Sequence, residues 1–419
     1  MAEQRNIVIV GASAAGLQTT HYILKHILPA LKARGDAKYH VYNITPSAHF
    51  YFRVGSPRTA AAPSLLAADK IVHDLHQAFS QYSADDFTLI EGTATGLETS
   101  ERNLVYKSAK GTSEEKLHYH ALIVATGSST YHPAFSASGP IQETLDALRA
   151  TSESVAKAKS IVISGGGPTA VEFAGEVGEF RNGKPGWFSS PKPTVSITLL
   201  TADKQLLPVM RPAIAKVAEN KLKALGVTVR YNSRVSSTTP SKDGRTIVTL
   251  GSGETIEADY YVPAYGVKPN SSWLPRELLD DKNKLIANKE TFRVDAAGPR
   301  VYAFGDIASY SRNSVLDILN GLPVLSVNIK RDLVSFNPAS PDAKPKGQDR
   351  LYKPEMKAMQ IAPIGTGGGV GEVMGWKAPS FLVWAIKGRD YMVAMSGGPT
   401  ASGKSVAKET KMTAEEAAY

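Results

Sequence analysis

Residues 7–23, IVIVGASAAGLQTTHYI, and residues 161–177, IVISGGGPTAVEFAGEV, decide how this chain folds. Each is an apolar run that breaks into glycines and resumes as a helix-forming segment. In the first, Gly11 permits a tight turn out of a strand, and Gly16 lets the following helix pack close to it. Backbone N–H groups at the helix start, around Ser13 and Ala14, together with the helix dipole suit a pyrophosphate. Ser13 replaces the middle glycine of the fingerprint, so backbone approach there is slightly less free. In the second run, Gly165 and Gly167 take the corresponding roles, Pro168 and Thr169 open the helix, and Ala170 is an accepted variant of the last glycine.

Outward from these runs, strands alternate with helices, the pattern of α/β layers with parallel sheets. A helix is expected from about 14 to 28, kinked or ended by Pro29. Strands are expected at 40–44, at 120–125 closing on Thr126-Gly127, at 195–200, 226–231, 246–251 and 254–264, and at 301–304. A Gly/Pro/Ser-rich loop covers 181–194 and a polar loop covers 336–350. The tail from Ser396 is nearly devoid of large apolar groups and is expected to be mobile.

Composition narrows the chemistry. With 42% apolar and 21% charged residues, the chain reads as a soluble globular protein of two or three domains. No apolar run is long enough for a membrane span, and MAEQRN enters a strand with no room for a signal peptide, so a cytoplasmic location is expected. Ala2 excludes N-myristoylation at a glycine. Without a single cysteine there is no disulfide, iron–sulfur cluster, thiolate metal site or redox dithiol. The net charge of +9 suits a basic, soluble surface or attraction of anions. No block of five or six basic residues occurs, so dedicated nucleic-acid binding is not expected.

Several residues stand at chemically informative positions. The ribose carboxylate expected at the end of the second strand is missing; Thr45 stands there, with Asn43 nearby. After the strand at 195–200 the same position falls on Thr201, with Lys204 three residues on. Thr201 removes the repulsion of a 2′-phosphate and Lys204 suits pairing with one, which favours NADPH, alone or beside NADH. Glu172 lies in the first turns of the second helix, facing either the helix dipole or the nicotinamide. Asp306, in VYAFGDIAS, is either a helix N-cap or the acceptor of a ribityl hydroxyl. Arg53 and Arg58, in HFYFRVGSPR, flank a flavin or stack on Phe50 and Phe52 at the surface. The aromatic, basic stretch 376–393 is either a packed C-terminal element or a lipid- or quinone-facing wall.

GASAAG at 11–16, HFYFRVGSPR at 49–58, VATG at 124–127, GGGPTAVEFAGE at 165–176, YGVKPN at 265–270, FGD at 304–306 and VNI at 327–329 together resemble the pyridine-nucleotide flavin oxidoreductases. More narrowly they are similar to the apoptosis-inducing-factor-like branch, which includes ferroptosis suppressor protein, with the type II NADH dehydrogenases as relatives. GTGGGVGEVMGW, 365–376, is similar to the C-terminal region of that branch. The resemblance implies two Rossmann-like dinucleotide-binding domains of the glutathione-reductase kind without redox cysteines, plus a small C-terminal region. The FAD domain would be 1–140 with 266–335, the NAD(P)H domain 141–265, and the remainder 336–419. It implies FAD held by Gly11, Ser13, Ala14, Gly16, Thr45 and Arg53, by Arg58, Ala94, Ala125, Thr126 and Gly127, and by Asp306 and Asn328. NADPH or NADH would be held by Gly165, Gly167, Pro168, Thr169, Glu172, Thr201, Lys204 and Gly266. The implied activity is hydride transfer to FAD, with electrons passed to a quinone-type acceptor. No metal and no single catalytic acid or base is expected, because positioning supplies most of the rate. A slow redox-sensing protein that binds lipid or nucleic acid, and a flavin monooxygenase, are the alternatives. Peripheral membrane contact stays open, and the oligomeric state is not legible.

Overall fold

Ile7, Val8 and Ile9 are fully buried because their strand, Gln4–Val10, has parallel neighbours on both sides. The structure is a computed structural model that describes residues 3–137, 139–186 and 192–418. The strand is third in a seven-stranded sheet of spatial order Val301–Ala303, Ala121–Val124, Gln4–Val10, Lys38–Thr45, Phe87–Glu98, Asn103–Ser108 and Glu114–His118. The first five are parallel and the last two antiparallel. A second, all-parallel sheet runs Val227–Arg230, Ser196–Leu200, Ser160–Ser164, Tyr260–Pro263. Both fingerprint strands therefore end, with their glycine turns, at the carboxyl edge of a parallel sheet, where α/β folds bind ligands. The chain crosses between the sheets twice, and the crossings pair antiparallel, Ser128–Ser129 with Lys268–Pro269.

The expected strand 254–264 is in fact two. Thr255–Ala258 joins an antiparallel three-stranded sheet with Thr246–Leu250 and Val235–Pro240, and Tyr260–Pro263 joins the parallel sheet. Asp259 makes the break: its carboxylate accepts from the N–H groups of Lys159 and Ser160 at 2.7 and 2.9 Å. Residues 187–191 of the expected loop 181–194 lie outside the described residues.

Pro29 does not end the first helix. Ala14–Tyr22 is followed by one widened π turn, Ile23–Ile27, and then by Leu28–Arg34, which closes on Gly35 in the left-handed region. The proline sits in the first turn of the last segment, directly after the π turn that Leu28 N–H closes on Ile23 O.

The tail from Ser396 is docked on this helix rather than mobile. His21 Nε2 meets Ala401 O at 2.9 Å, Lys25 Nζ donates to Gly403 O at 2.6 Å, and His26 Nε2 meets Val406 O at 2.9 Å. A carbonyl only accepts, so His21 carries its proton on Nε2, and its Nδ1 accepts from Tyr82 Oη at 2.7 Å. Burial holds the ring neutral, pushing its pKa down to about 4. A Cβ on Gly403 would lie 2.5 Å from the His21 ring. The tail thus packs through bare backbone, which hydrophobic patterning does not register. Among the described residues no helix is long and apolar enough to cross a membrane.

Candidate active site

The first glycine turn works by the contact of bare backbones. A Cβ on Gly11 (φ 110°) would stand 2.4 Å from Ala125 O, and one on Gly16 would stand 1.9 Å from Gly11 O. Asn43 braces the turn rather than a ribose, donating to Gly11 O at 3.2 Å and Thr20 Oγ1 at 2.8 Å. Ser13 begins the helix Ala14–Tyr22 without a side-chain cap, so the first N–H groups stay available to a ligand. They open on a cavity of about 440 Å³ lined by Gly11, Ser13, Thr45, Ala94, Ala125 and Thr126. Ser47, Thr93, Asn270 and Trp273, which patterning did not single out as contacts, complete its wall. A phosphate-accepting helix end beside a long, partly apolar cavity fits FAD. Ala14 and Gly16 lie in the helix behind that wall.

The third motif arrives at the same place. Gly305 (φ 83°) packs its α-carbon against Ala15, where a Cβ would come within 2.9 Å. Asp306 beside it accepts from Ser128 Oγ at 2.8 Å and faces Arg53 Nη2 at 3.5 Å, while Arg53 Nη1 donates to Ser128 O at 2.9 Å. Gly127 (φ 65°) has open space around it, and Asn270 clips the loop by donating to Thr126 O at 2.8 Å. Arg53 and Asp306 are thus joined beside the first glycine turn, although Arg53, Gly127 and Asp306 are not among the residues that line the cavity.

Two further expected FAD contacts are taken up by other partners. Arg58 is buried, and its guanidinium is taken up by Glu176, with Nη2–Oε1 at 2.8 Å and Nε–Oε2 at 3.0 Å, and by Gly388 O at 2.7 Å. Asn328, on the helix Val315–Val334, bonds the backbone of Arg350 on both sides, donating to its O at 3.0 Å and accepting from its N at 2.9 Å. Both positions are committed to holding the C-terminal region, and neither lines the cavity.

The second glycine turn opens on two hollows. Gly167, Pro168, Thr169 and Gly266 line one of about 530 Å³, with Lys284 and Asn313 across from them. Gly165 and Thr201 line a smaller one of about 140 Å³, with Asp203 and Arg234. Lys204 is exposed and outside both.

Glu172 and Glu176 are buried one turn apart on the helix Pro168–Asn182. Glu172 pairs with Lys387, and Glu176 takes Arg58 and the Tyr391 hydroxyl at 2.9 Å. Burial pushes the Glu172 carboxyl up to about 7, against the pull of the Lys387 ammonium, while the neighbouring Glu176 adds to the rise. Lys387 lies in the aromatic, basic stretch 376–393, but nothing local marks its pairing with Glu172, 215 residues away. Of the stretch 376–393, Val383, Gly388 and Tyr391 pack inward, whereas Trp376 and Phe381 are 80% and 72% exposed and Trp384 is also exposed.

The chain belongs to the family described as pyridine nucleotide-disulphide oxidoreductase, which it matches over residues 5–325. It is 40% identical over 404 residues to oxidoreductase phnG of Penicillium herquei, covering 94% of this chain and 95% of that protein. It is 24% identical over 346 residues to the mitochondrial external alternative NAD(P)H-ubiquinone oxidoreductase B3 of Arabidopsis thaliana, covering 75% and 56%. Apoptosis-inducing factor 1 of Saccharomyces cerevisiae is 23% identical over 345 residues, covering 80% and 82%. Among solved structures, NDH2 from Plasmodium falciparum in complex with NADH superposes with a TM-score of 0.64 at 14% identity, covering 94% of this chain and 99% of that one. The protein is an enzyme, an oxidoreductase of the FAD- and NAD(P)H-dependent kind with two Rossmann-like domains.

Proposed function

We propose that this enzyme oxidises NAD(P)H at the second glycine turn and passes the electrons to a quinone-type acceptor. FAD, when bound, supplies the two-electron relay; overall, NAD(P)H, a proton and a quinone become NAD(P)+ and a quinol. The helix N–H groups after Ser13 would hold the pyrophosphate of FAD, and the Asp306 carboxylate, which accepts from Ser128, would be the nearby acceptor for a hydroxyl. Gly167 to Thr169 position the nicotinamide cofactor. Glu172, on the same helix, is buried against Lys387 and lines neither hollow, and burial pushes its carboxyl up to about 7.

The observation that carries this reading is the segment 376–391. It presents Trp376, Phe381 and Trp384 to the outside and inserts Lys387 against Glu172. One short stretch therefore joins an apolar surface, suited to a lipophilic acceptor or a membrane face, to the buried acid of the nicotinamide helix. The ubiquinone named in a relative's title supports the same acceptor class. The test is steady-state NADH and NADPH oxidation with quinones of graded hydrophobicity. Turnover that rises with quinone concentration and yields quinol in a 1:1 ratio is expected. Flavin bleaching without turnover would favour a redox sensor, and a stoichiometric oxygenated product would favour a monooxygenase.

A further inference from the structure

The position rule for the ribose acid singles out Thr201, and the structure shows why that position does not decide the cofactor. Thr201 is buried under the glycine turn. Its Oγ1 accepts from the Asp203 N–H at 3.2 Å and lies 2.4 Å from where a Cβ on Gly166 would stand. Two residues on, the chain has turned upward, and Asp203 Oδ2 stands 3.7 Å from that same Gly166 position. Asp203 and Gly166 both line the small hollow at the carboxyl ends of Ser160–Ser164 and Ser196–Leu200. This is where the adenosine ribose of a dinucleotide on the second turn would lie. Among the described residues the Asp203 carboxylate has neither a hydrogen-bond donor nor a cation partner. Arg234, on the wall beyond the strand Val227–Arg230, is likewise exposed and without a carboxylate partner among the described residues.

We infer that Asp203 makes this enzyme prefer NADH over NADPH by accepting the adenosine ribose hydroxyls; the inference rests on the nicotinamide site proposed above. An ionised carboxylate only accepts, so it matches two hydroxyl donors and opposes a 2′-phosphate carrying nearly two negative charges. Arg234 lies where a guanidinium would attract that phosphate, but the phosphate would then share the same 140 Å³ hollow with Asp203. The free carboxylate beside Gly166 decides the balance. Lys204 is exposed and does not line the hollow.

The test separates binding from turnover. Purified holoenzyme is titrated calorimetrically with ADP-ribose and with 2′-phospho-ADP-ribose, alongside kcat/KM for NADH and NADPH. ADP-ribose is expected to bind tighter by roughly tenfold or more, the scale of hydrogen bonds to a charged group. Asp203→Asn and Asp203→Ala should shrink that ratio, and Arg234→Ala should leave ADP-ribose preferred; both sites are exposed and their flavin content reports folding. Tighter binding of the phosphorylated probe by the parent, or an unchanged ratio in both Asp203 variants, would overturn the inference. Because no acceptor is present in the titration, loss of quinone reduction alone overturns only the acceptor reading.

Discussion

Replacing Arg58 with alanine should destabilise the whole molecule without touching the flavin cavity. The guanidinium makes a bidentate pair with Glu176 at 2.8 and 3.0 Å, and the two side chains are 3% and 1% exposed. Its remaining nitrogen donates to Gly388 O at 2.7 Å, so one side chain ties Ser56–Ala61 to the nicotinamide helix and to the C-terminal segment. Truncation leaves the Glu176 carboxylate with the Tyr391 hydroxyl and nothing else among the described residues. Removing one member of a buried pair costs about 3–5 kcal/mol, most of it the penalty of the stranded charge. Urea unfolding followed by tryptophan fluorescence, at equal flavin saturation, should show a loss of that size. Arg58→Met combined with Glu176→Met removes both charges and should recover most of it. If Arg58→Ala sheds its flavin yet stays within about 1 kcal/mol of the parent, the arginine serves the cofactor after all and the scaffold reasoning fails.

Three further outcomes follow from the same structure. The Glu172 carboxyl ionises near 4.5 in the unfolded chain and near 7 when folded, so the folded state holds the extra proton between those values. Stability should fall by about 3 kcal/mol as pH rises from 4.5 to 7 and then level off; Glu172→Gln should flatten that slope, and equal slopes in both proteins would contradict the assignment. In Gly16→Ala the new methyl would stand 1.9 Å from Gly11 O, so the turn must open and the purified protein should lose most of its visible flavin absorbance; retention of full absorbance would refute the close approach. Truncation after Met395 removes four bonds to side chains of the first helix, of His21, Tyr22, Lys25 and His26, and the burial of Ala401 and Val406. It should cost about 3–5 kcal/mol in urea unfolding, and an unchanged midpoint would show the tail to be idle.

What was legible in the sequence is what local physics controls. Gly11 and Gly165 need a positive φ, and Gly16 needs room for a backbone oxygen; such demands leave a fixed spacing. The parallel strands read as apolar runs because both faces are covered. What was not legible depends on distant partners. Arg58, the second arginine of HFYFRVGSPR, looks the same whether it faces a flavin or Glu176, which lies 118 residues away. Asn328 looked like a cofactor contact because its motif matched, yet the backbone of Arg350 takes both of its polar ends. The break at Asp259 was hidden inside an alternating pattern that both flanking sheets satisfy. Thr201 was read at its expected position, but the turn after the strand carries the carboxylate two residues onward to Asp203.

The docking of the tail has a consequence for how the chain is made. The helix behind the first glycine turn receives its last hydrogen-bond acceptors from residues 380 positions downstream. At 5–20 residues per second, the ribosome delivers them about 20–75 s after that helix emerges. Through this interval His21, Lys25 and His26 lack the carbonyls that will accept from them, and the surface that Ala401 and Val406 will cover stays wet. The first helix is therefore born unfinished, and residues 401–406 close it like a clasp.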